Sequence, residues 1–163
     1  MMSPIFQRFI KQNLDTSTLV RPLQTFLPYP DFERTAEVLD YKRLGKQRSE
    51  ALTIIRAIED GNGWENHPAV KMWTGYTKAL KVYHDKIIEE WIDRGYENNM
   101  DFYRVEEHVN LPAWLGDEKL HRSHKSNLLR KELEFYSQYD WDVPSDLDYF
   151  WPTEEDYEVK EQD

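Results

Sequence analysis

The chain has 163 residues, a formal net charge of -10 and no cysteine. This length fits a single domain with one sizeable core. The absence of cysteine excludes disulfides, thiolate metal sites and cysteine nucleophiles, and it is typical of proteins of the reducing cytoplasm. No apolar run approaches the ~20 residues that a membrane-spanning helix needs, so we expect no membrane association.

The charge is distributed unevenly. Residues 132–163 hold twelve of the 31 acidic residues and a single lysine, which leaves residues 1–131 close to neutral. Two segments of that body are strongly basic: 42–48 has four cations in seven residues, and 119–131 has five cations, two histidines and no acid. Such patches are typical of polyanion sites, although two solvated helix faces would give the same pattern.

In chain order, residues 1–23 show no sustained period, and we interpret them as a disordered or misassigned N-terminal extension. An aromatic, Pro-containing segment at 24–30 begins the fold, and Asp31 is placed to cap a short helix that reaches about Asp40. A strong apolar stripe then predicts an amphipathic helix over 43–59, followed by a Gly-rich loop.

Pro68 is well placed to open a long helix that ends near Arg94, with Gly75 inside it marking a close backbone approach. A third helix is predicted over about 117–136. Beyond it the pattern indicates an irregular aromatic strap and then a disordered acidic tail at 153–163. The predicted fold is all-α: a compact single domain, residues 24–152, built as a bundle of about three major helices.

Arg48 and Glu50 are the two side chains of the first major helix that most suggest chemistry. Arg48 falls within the apolar stripe, where an unpaired guanidinium would cost several kcal/mol. It is therefore either in a buried salt bridge, snorkelling past its neighbours, or held at a cleft floor to bind a phosphate. Glu50 is either an exposed partner of Lys46 or, if it faces the cleft, a carboxylate for acid/base work.

The histidines suggest contacts with phosphate rather than a metal site. His121 and His124 have the spacing of two ligands on one helix, but no third ligand is recognisable, so we expect no metal and no cofactor. With their cationic neighbours they are interpreted as phosphate contacts or as caps of core groups, and His67, before Pro68, as a helix cap or a phosphate contact. The predicted DNA-binding residues are Arg43, Lys46, Arg48, His67, His121, Arg122, His124, Lys125 and Asn127.

Five segments together resemble the bacterial branch of the pyrimidine-dimer DNA glycosylase family over about residues 24–152. They are Gln24–Asp31, Arg43–Arg48, Asn66–Val70, Arg94–Tyr96 and His121–Lys131. The resemblance implies an all-α domain with an N-terminal segment threaded between helices. It also implies an enzyme of duplex DNA whose α-amine attacks C1′ of the sugar, displaces the damaged base and forms a Schiff base that permits strand cleavage. A carboxylate on the first major helix assists, and arginines beside it bind phosphates.

Carried over by position, Arg48 corresponds to the arginine that precedes the family's catalytic glutamate. Here Ser49 follows it, and the carboxylate arrives one residue later as Glu50, a rotation of about 100° on a helix. Family chains begin near Leu23 or Gln24, so Gln24 is a catalytic candidate only if the mature chain starts near it. Otherwise Lys42 or Lys46 is a candidate for the amine.

The sequence thus predicts a cytoplasmic, monomeric DNA-repair enzyme that acts on double-stranded DNA as a glycosylase and abasic-site lyase. The alternatives are a non-catalytic nucleic-acid-binding module on the same scaffold, or an interaction protein whose basic face binds an acidic tail. Arg48 and the 119–131 segment are expected to line a single electropositive hollow.

Overall fold

The computed structural model describes residues 23–61, 65–153 and 155–158. Within these ranges all of the regular secondary structure is helical, which confirms the predicted all-α fold. The helices are α1 (Phe32–Val38), α2 (Tyr41–Asp60), α3 (Pro68–Trp73), α4 (Thr77–Asp93), α5 (Glu118–Lys131), α6 (Leu133–Tyr136), a 3-10 helix (Ser137–Tyr139) and α7 (Glu155–Glu158). The predicted extension lies outside the described residues except for Leu23, which is buried in the core.

Helices α1 and α2 form where their capping residues and apolar stripe predict. Asp31 caps α1 by accepting a hydrogen bond from the backbone N–H of Arg34 at 2.9 Å. Helix α2 runs for 20 residues and ends at Gly61, whose φ of 61° lies in the left-handed region that favours glycine. Its buried face consists of Leu44, Gln47, Ala51, Ile54, Ile55 and Ala57.

The long helix predicted from Pro68 is interrupted, so that prediction was wrong. Helix α3 ends at Trp73 and α4 begins at Thr77, with Gly75 between them at a φ of 92°. A Cβ added at Gly75 would have no neighbour within 4 Å. The glycine therefore serves the turn rather than the close approach that the sequence suggested.

The predicted third helix is also divided, because Glu132 leaves helical geometry at φ -144° and ψ 71°. The aromatic strap that follows is irregular, as predicted, and its partly buried side chains pack against the core. In the acidic tail predicted to be disordered, α7 forms one helical turn, and the hydroxyl of Tyr157 donates to the carboxylate of Asp117 at 2.8 Å.

The core lies where α2 and α1 pack against α4, and it is rich in aromatic side chains. Trp73 and Tyr83 are fully buried, and Phe32 contacts both rings at centroid distances of 6.3 and 5.5 Å. Trp73 of α3 and Tyr83 of α4 are thus part of the core. Across the described ranges, none of the helices has the length and apolarity needed to traverse a lipid bilayer.

Candidate active site

The segment 23–27 has no regular secondary structure and is buried along its whole length within the helical bundle. A buried segment of this kind leaves its backbone N–H and C=O groups to be satisfied by other means. Here side chains from the helices supply those hydrogen bonds. The threaded N-terminal segment implied by the family resemblance is therefore present.

Two histidines of α5 hold Leu27. The backbone N–H of Leu27 donates to Nδ1 of His124 at 2.8 Å, and its carbonyl lies 2.7 Å from Nδ1 of His121. Because Nε2 of His121 accepts from the N–H of Gly116 at 2.9 Å, Nδ1 of His121 is the donor to Leu27. Burial lowers the pKa of both imidazoles, that of His124 to about 3. Neutral and buried, they are not available to phosphates, which corrects two of the predicted DNA contacts.

Gln47, fully buried on α2, connects the threaded segment to the rest of the site. Its Oε1 accepts hydrogen bonds from the N–H of Phe26 at 3.1 Å and from the hydroxyl of Tyr83 at 2.8 Å. Its Nε2 donates to the carbonyl of Gln24 and to Oε2 of Glu50, both at 2.9 Å. One amide group thus fixes the main chain of residue 24 beside the carboxylate of Glu50.

Glu50 is half-buried, and its charge acts on a phenol of α4 and on one of the aromatic strap. Burial raises the pKa of Tyr83 well above its usual value, and the charge of Glu50 raises it further. Burial likewise raises the pKa of Tyr149, in the aromatic strap, to about 12. The charge of Arg130 lowers this pKa, and the charge of Glu50 raises it. The carboxylate therefore lies where α2, the threaded segment and the strap meet.

We call Glu50, Arg43, Lys46, Arg130 and Lys131 the Glu50 cluster, because the charges of the other four act on Lys131. The pKa of Lys131 is lowered by burial and then by the nearby charges of Arg43, Arg130 and Lys46, while Glu50 acts in the opposite direction. Arg43 pairs with Asp40 and Glu132, both at 3.2 Å. Lys46 and Lys131 are exposed to solvent.

Arg48 lies on the other side of α2. It precedes Glu50 by two positions, a rotation of about 200° around the helix axis. Its guanidinium stacks over Trp91, 4.1 Å from the ring centroid, and its Nη1 reaches Oδ1 of Asn98 at 3.5 Å. Burial lowers its pKa, and its environment is aromatic rather than acidic. Neither of these partners of Arg48 belongs to the 119–131 segment, with which it was expected to line a single hollow.

The remaining basic residues of α5 form a third group. Burial lowers the pKa of Lys125, and the charges of Arg34 and Arg122 lower it further. The ammonium of Lys125 lies 5.0 Å from the ring centroid of Tyr29. Arg122 is exposed and donates to the carbonyl of Asp142 at 3.2 Å. These two predicted DNA contacts thus have different charged neighbours from the Glu50 cluster.

Two further predicted contacts have structural roles. Asn127 is buried and donates to the carbonyls of Ser123 at 2.8 Å and Leu147 at 3.1 Å, so it is not available to DNA. His67 caps α3, with Nδ1 accepting from the N–H of Ala69 at 3.0 Å. The helix-cap alternative for His67 is the one that the structure contains.

Sequence reasoning missed Gln47, Tyr149, Arg130 and Lys131. Gln47 has the same helical spacing to the apolar stripe as Arg48, at steps of 3 and 4 residues from Leu44 and Ala51, and this was the available signal. Nothing local indicates that Tyr149 or the end of α5 approaches Glu50. Those contacts depend on long-range packing.

A carboxylate among cations, beside an extended main chain, can perform acid/base chemistry on a bound polyanion. The cations attract phosphates, and the carboxylate can accept or donate a proton. Over the ranges 23–61, 65–153 and 155–158, no group of three or more His, Cys, Asp or Glu side chains is arranged to hold a metal ion.

Comparison with known proteins shows which family the chain resembles. Residues 23–104, half of the chain, match the family model described as pyrimidine dimer DNA glycosylase. Neither a curated protein nor a solved structure was found to match. The match begins with the threaded segment and includes Gln47 and Glu50, but it ends before α5. The chain belongs to the pyrimidine dimer DNA glycosylase family.

Proposed function

We propose that this protein is a DNA-repair glycosylase and abasic-site lyase that acts on damaged duplex DNA, on pyrimidine dimers or related lesions, through an amine Schiff base. The observation that carries the proposal is the Gln47 amide, which binds the carbonyl of Gln24 and the carboxylate of Glu50 at 2.9 Å each. Membership of the family supplies the class of substrate.

The geometry supports a role for the main chain near residue 24. Consecutive Cα atoms are about 3.8 Å apart, so a chain that began at Leu23 or Gln24 would have its α-amine in the immediate surroundings of Glu50. An α-amine has a pKa of about 7.7–8.0 and is partly unprotonated at neutral pH. It is therefore suited to attack C1′ of the sugar.

In the proposed reaction the amine forms a bond to C1′ as the damaged base leaves. The C1′–O4′ bond then breaks, O4′ takes a proton and becomes a hydroxyl, and the nitrogen lone pair forms the C=N bond of the Schiff base. A proton is then removed from C2′, and the C3′–O bond breaks with departure of the 3′ phosphate. Glu50 is the proposed acid/base group for these proton transfers. Lys46 and Lys131 are the proposed phosphate contacts nearest to it.

The test is borohydride trapping on duplex DNA that contains a single abasic site, with the full chain and with a truncated chain that begins at Gln24. We expect a covalent protein–DNA complex from at least one of the two chains. We also expect strand cleavage at a cyclobutane pyrimidine dimer. Salt-sensitive DNA binding without trapping by either chain would contradict the lyase proposal and favour a non-catalytic DNA-binding module.

A further inference from the structure

A basic surface separate from the Glu50 cluster lies where α1 and α5 approach the start of the aromatic strap. Arg34 of α1 and Lys125 of α5 lie against the ring of Tyr29, and Arg122 precedes Lys125 by one helical turn. We call these four residues the Tyr29 site. We propose that it binds backbone phosphates of duplex DNA on a part of the duplex away from the lesion. The inference rests on the proposed function only in taking duplex DNA as the substrate.

The ring of Tyr29 brings together two cations from distant parts of the chain. The guanidinium carbon of Arg34 lies 3.9 Å from the ring centroid, and the ammonium of Lys125 lies 5.0 Å from it. The two cations are therefore no further apart than the sum of these distances. Arg122 is three residues before Lys125, so the two side chains are neighbours on the surface of α5. Three positive charges are thus gathered from two helices.

The aromatic strap holds this ring in place. The indole N–H of Trp141 donates to the hydroxyl of Tyr29 at 2.7 Å, and the two rings meet edge-on with their centroids 6.0 Å apart. Trp141 also stacks against Tyr139 at 5.3 Å and against Tyr136 at 5.6 Å, and Tyr136 is fully buried in the core. The ammonium of Lys125 lies 5.9 Å from the ring centroid of Trp141. The ring that positions the cations is therefore anchored to the core.

The positive charges of the Tyr29 site are not neutralised by contact with acids. In the part of the chain that the structure describes, none of the ion pairs includes Arg34, Arg122 or Lys125. Arg122 instead donates to a backbone carbonyl, that of Asp142, at 3.2 Å. An aromatic ring attracts a cation through its quadrupole, so it holds the cation in place without cancelling the charge. The site therefore keeps its positive charge available to an anion from outside the protein.

Ion pairing distinguishes these three cations from many other basic side chains of the fold. The side chains that pair with a carboxylate are Arg43, Lys78, Lys81, Lys86 and Arg94. A paired cation has its charge compensated within the protein and gains less from an approaching phosphate. The Tyr29 site combines unpaired charge with side chains that are already positioned, the two properties that favour phosphate binding by Arg and Lys.

Repulsion among the cations agrees with this geometry. Burial lowers the pKa of Lys125, the charges of Arg34 and Arg122 lower it further, and Glu118 acts in the opposite direction. An anion bound beside these groups would favour the charged form of Lys125. A backbone phosphate supplies such a charge.

The Tyr29 site and the Glu50 cluster share α5 but occupy different parts of it. Lys125 and Lys131 are six residues apart, about 9 Å along the helix axis. Glu50 is not among the charges that act on Lys125. At a rise of about 3.4 Å per base pair, the axial separation corresponds to roughly three base pairs. A duplex held at its lesion by the Glu50 cluster is therefore long enough to reach the Tyr29 site as well.

The experiment measures the affinity of the full chain for an undamaged duplex by fluorescence anisotropy over a range of salt concentrations. We expect Lys125→Gln and Arg34→Gln each to make the slope of log affinity against log salt concentration shallower by about 0.9. Arg34 is exposed, so this variant tests the site without altering a half-buried side chain. Arg56→Gln, at an exposed position of α2, is the control and should leave the slope unchanged.

Strand cleavage tests whether the site is separate from the chemistry. At saturating concentrations of a duplex with one abasic site, we expect both variants to cleave within about threefold of the unsubstituted rate, because loss of a binding contact that is the same in ground and transition states leaves kcat unchanged. Circular dichroism verifies the fold of each variant. If Lys125→Gln does not fold, the slope of Arg34→Gln decides.

Slopes for Arg34→Gln and Lys125→Gln that equal that of Arg56→Gln would overturn the assignment of the site. A large loss of cleavage rate at saturating DNA would overturn its separation from the chemistry. If the unsubstituted protein binds DNA without cleaving it and the slopes change as expected, the lyase proposal fails and the Tyr29 site stands. The absence of any salt-dependent DNA binding would overturn both.

Discussion

Gln47 and Glu50 lie one turn apart on α2 and share a 2.9 Å hydrogen bond, in which the amide is the donor and the carboxylate is the acceptor. The other three hydrogen bonds of the Gln47 side chain go to the threaded segment and to Tyr83. The position of the carboxylate and that of the threaded segment therefore depend on the same side chain. Four predictions test this arrangement and its surroundings.

Gln47→Met keeps the volume of the side chain but removes its hydrogen bonds. It leaves the carbonyl of Gln24, the N–H of Phe26 and the hydroxyl of Tyr83 without this partner inside the protein. Since an unsatisfied buried group costs about 1–3 kcal/mol, we expect the free energy of unfolding to fall by about 2–4 kcal/mol in urea titrations. Gln138→Met, at an exposed position, is the control and should change it by less than about 0.5 kcal/mol. Equal stabilities for the two variants would contradict the role of Gln47.

Glu50→Gln tests the proposed acid/base group while preserving its shape. The new amide oxygen can still accept from Gln47, so the fold should be retained. We expect the rate of strand cleavage at an abasic site to fall by about 10²–10⁴-fold, the usual contribution of a general acid or base. The control is Glu89→Gln, which removes an exposed carboxylate of α4. A Glu50→Gln rate within a factor of three of the unsubstituted protein would exclude Glu50 from the chemistry.

Lys46→Gln tests whether the Glu50 cluster contacts phosphates. Each neutralised phosphate contributes about 0.9 to the slope of log affinity against log salt concentration on duplex DNA. We therefore expect that slope to become shallower by about 0.9, measured by fluorescence anisotropy. Lys71→Gln, at an exposed position of α3, should leave the slope unchanged. If the slope for the Lys46 variant is the same as that for the unsubstituted protein, Lys46 does not contact a phosphate and the DNA binds on another face.

The pH dependence of stability tests the neutral state of His124. Its pKa is about 3 in the folded protein and about 6.5 in the unfolded chain, so only the unfolded state gains a proton between these values. Stability is then complete above pH 6.5 and decreases as the pH falls. Between pH 7 and 5.5, His124→Asn should show a shallower decrease in the free energy of unfolding than the unsubstituted protein.

The control for this pH dependence is His108→Gln, because His108 is exposed. This variant keeps His124, so its free energy of unfolding should decrease with falling pH as steeply as that of the unsubstituted protein. If His124→Asn loses stability with pH as steeply as the unsubstituted protein, the imidazole is not buried in its neutral form.

The parts of the fold that sequence predicts well are those determined by local patterns. Asp31 and the apolar stripe of α2 mark helices because capping and 3.6-residue periodicity act within a few neighbouring residues. Gly75 shows the limit of such reasoning, since a glycine inside a helical pattern either stays helical at some cost or takes a positive φ. The sequence alone does not distinguish these outcomes.

The site was only partly predictable for a different reason. Gln47 and Arg48 are neighbours with equally good spacing to the stripe, and a rotation of about 100° decides which of them enters the core. His121 and His124 look like phosphate contacts among cations. Their true partner, Leu27, is 94 and 97 residues away in the chain, and only the folded arrangement brings them together.

That separation also determines the order in which the protein can be completed during synthesis. At about 5–20 residues per second, a ribosome needs roughly 5–20 s to add the 97 residues between Leu27 and His124. During this time the earliest part of the domain has left the ribosome without the imidazoles that will hold it. A nascent chain stalled before α5 should therefore have an N-terminal segment that proteases cleave readily, whereas the finished protein protects it.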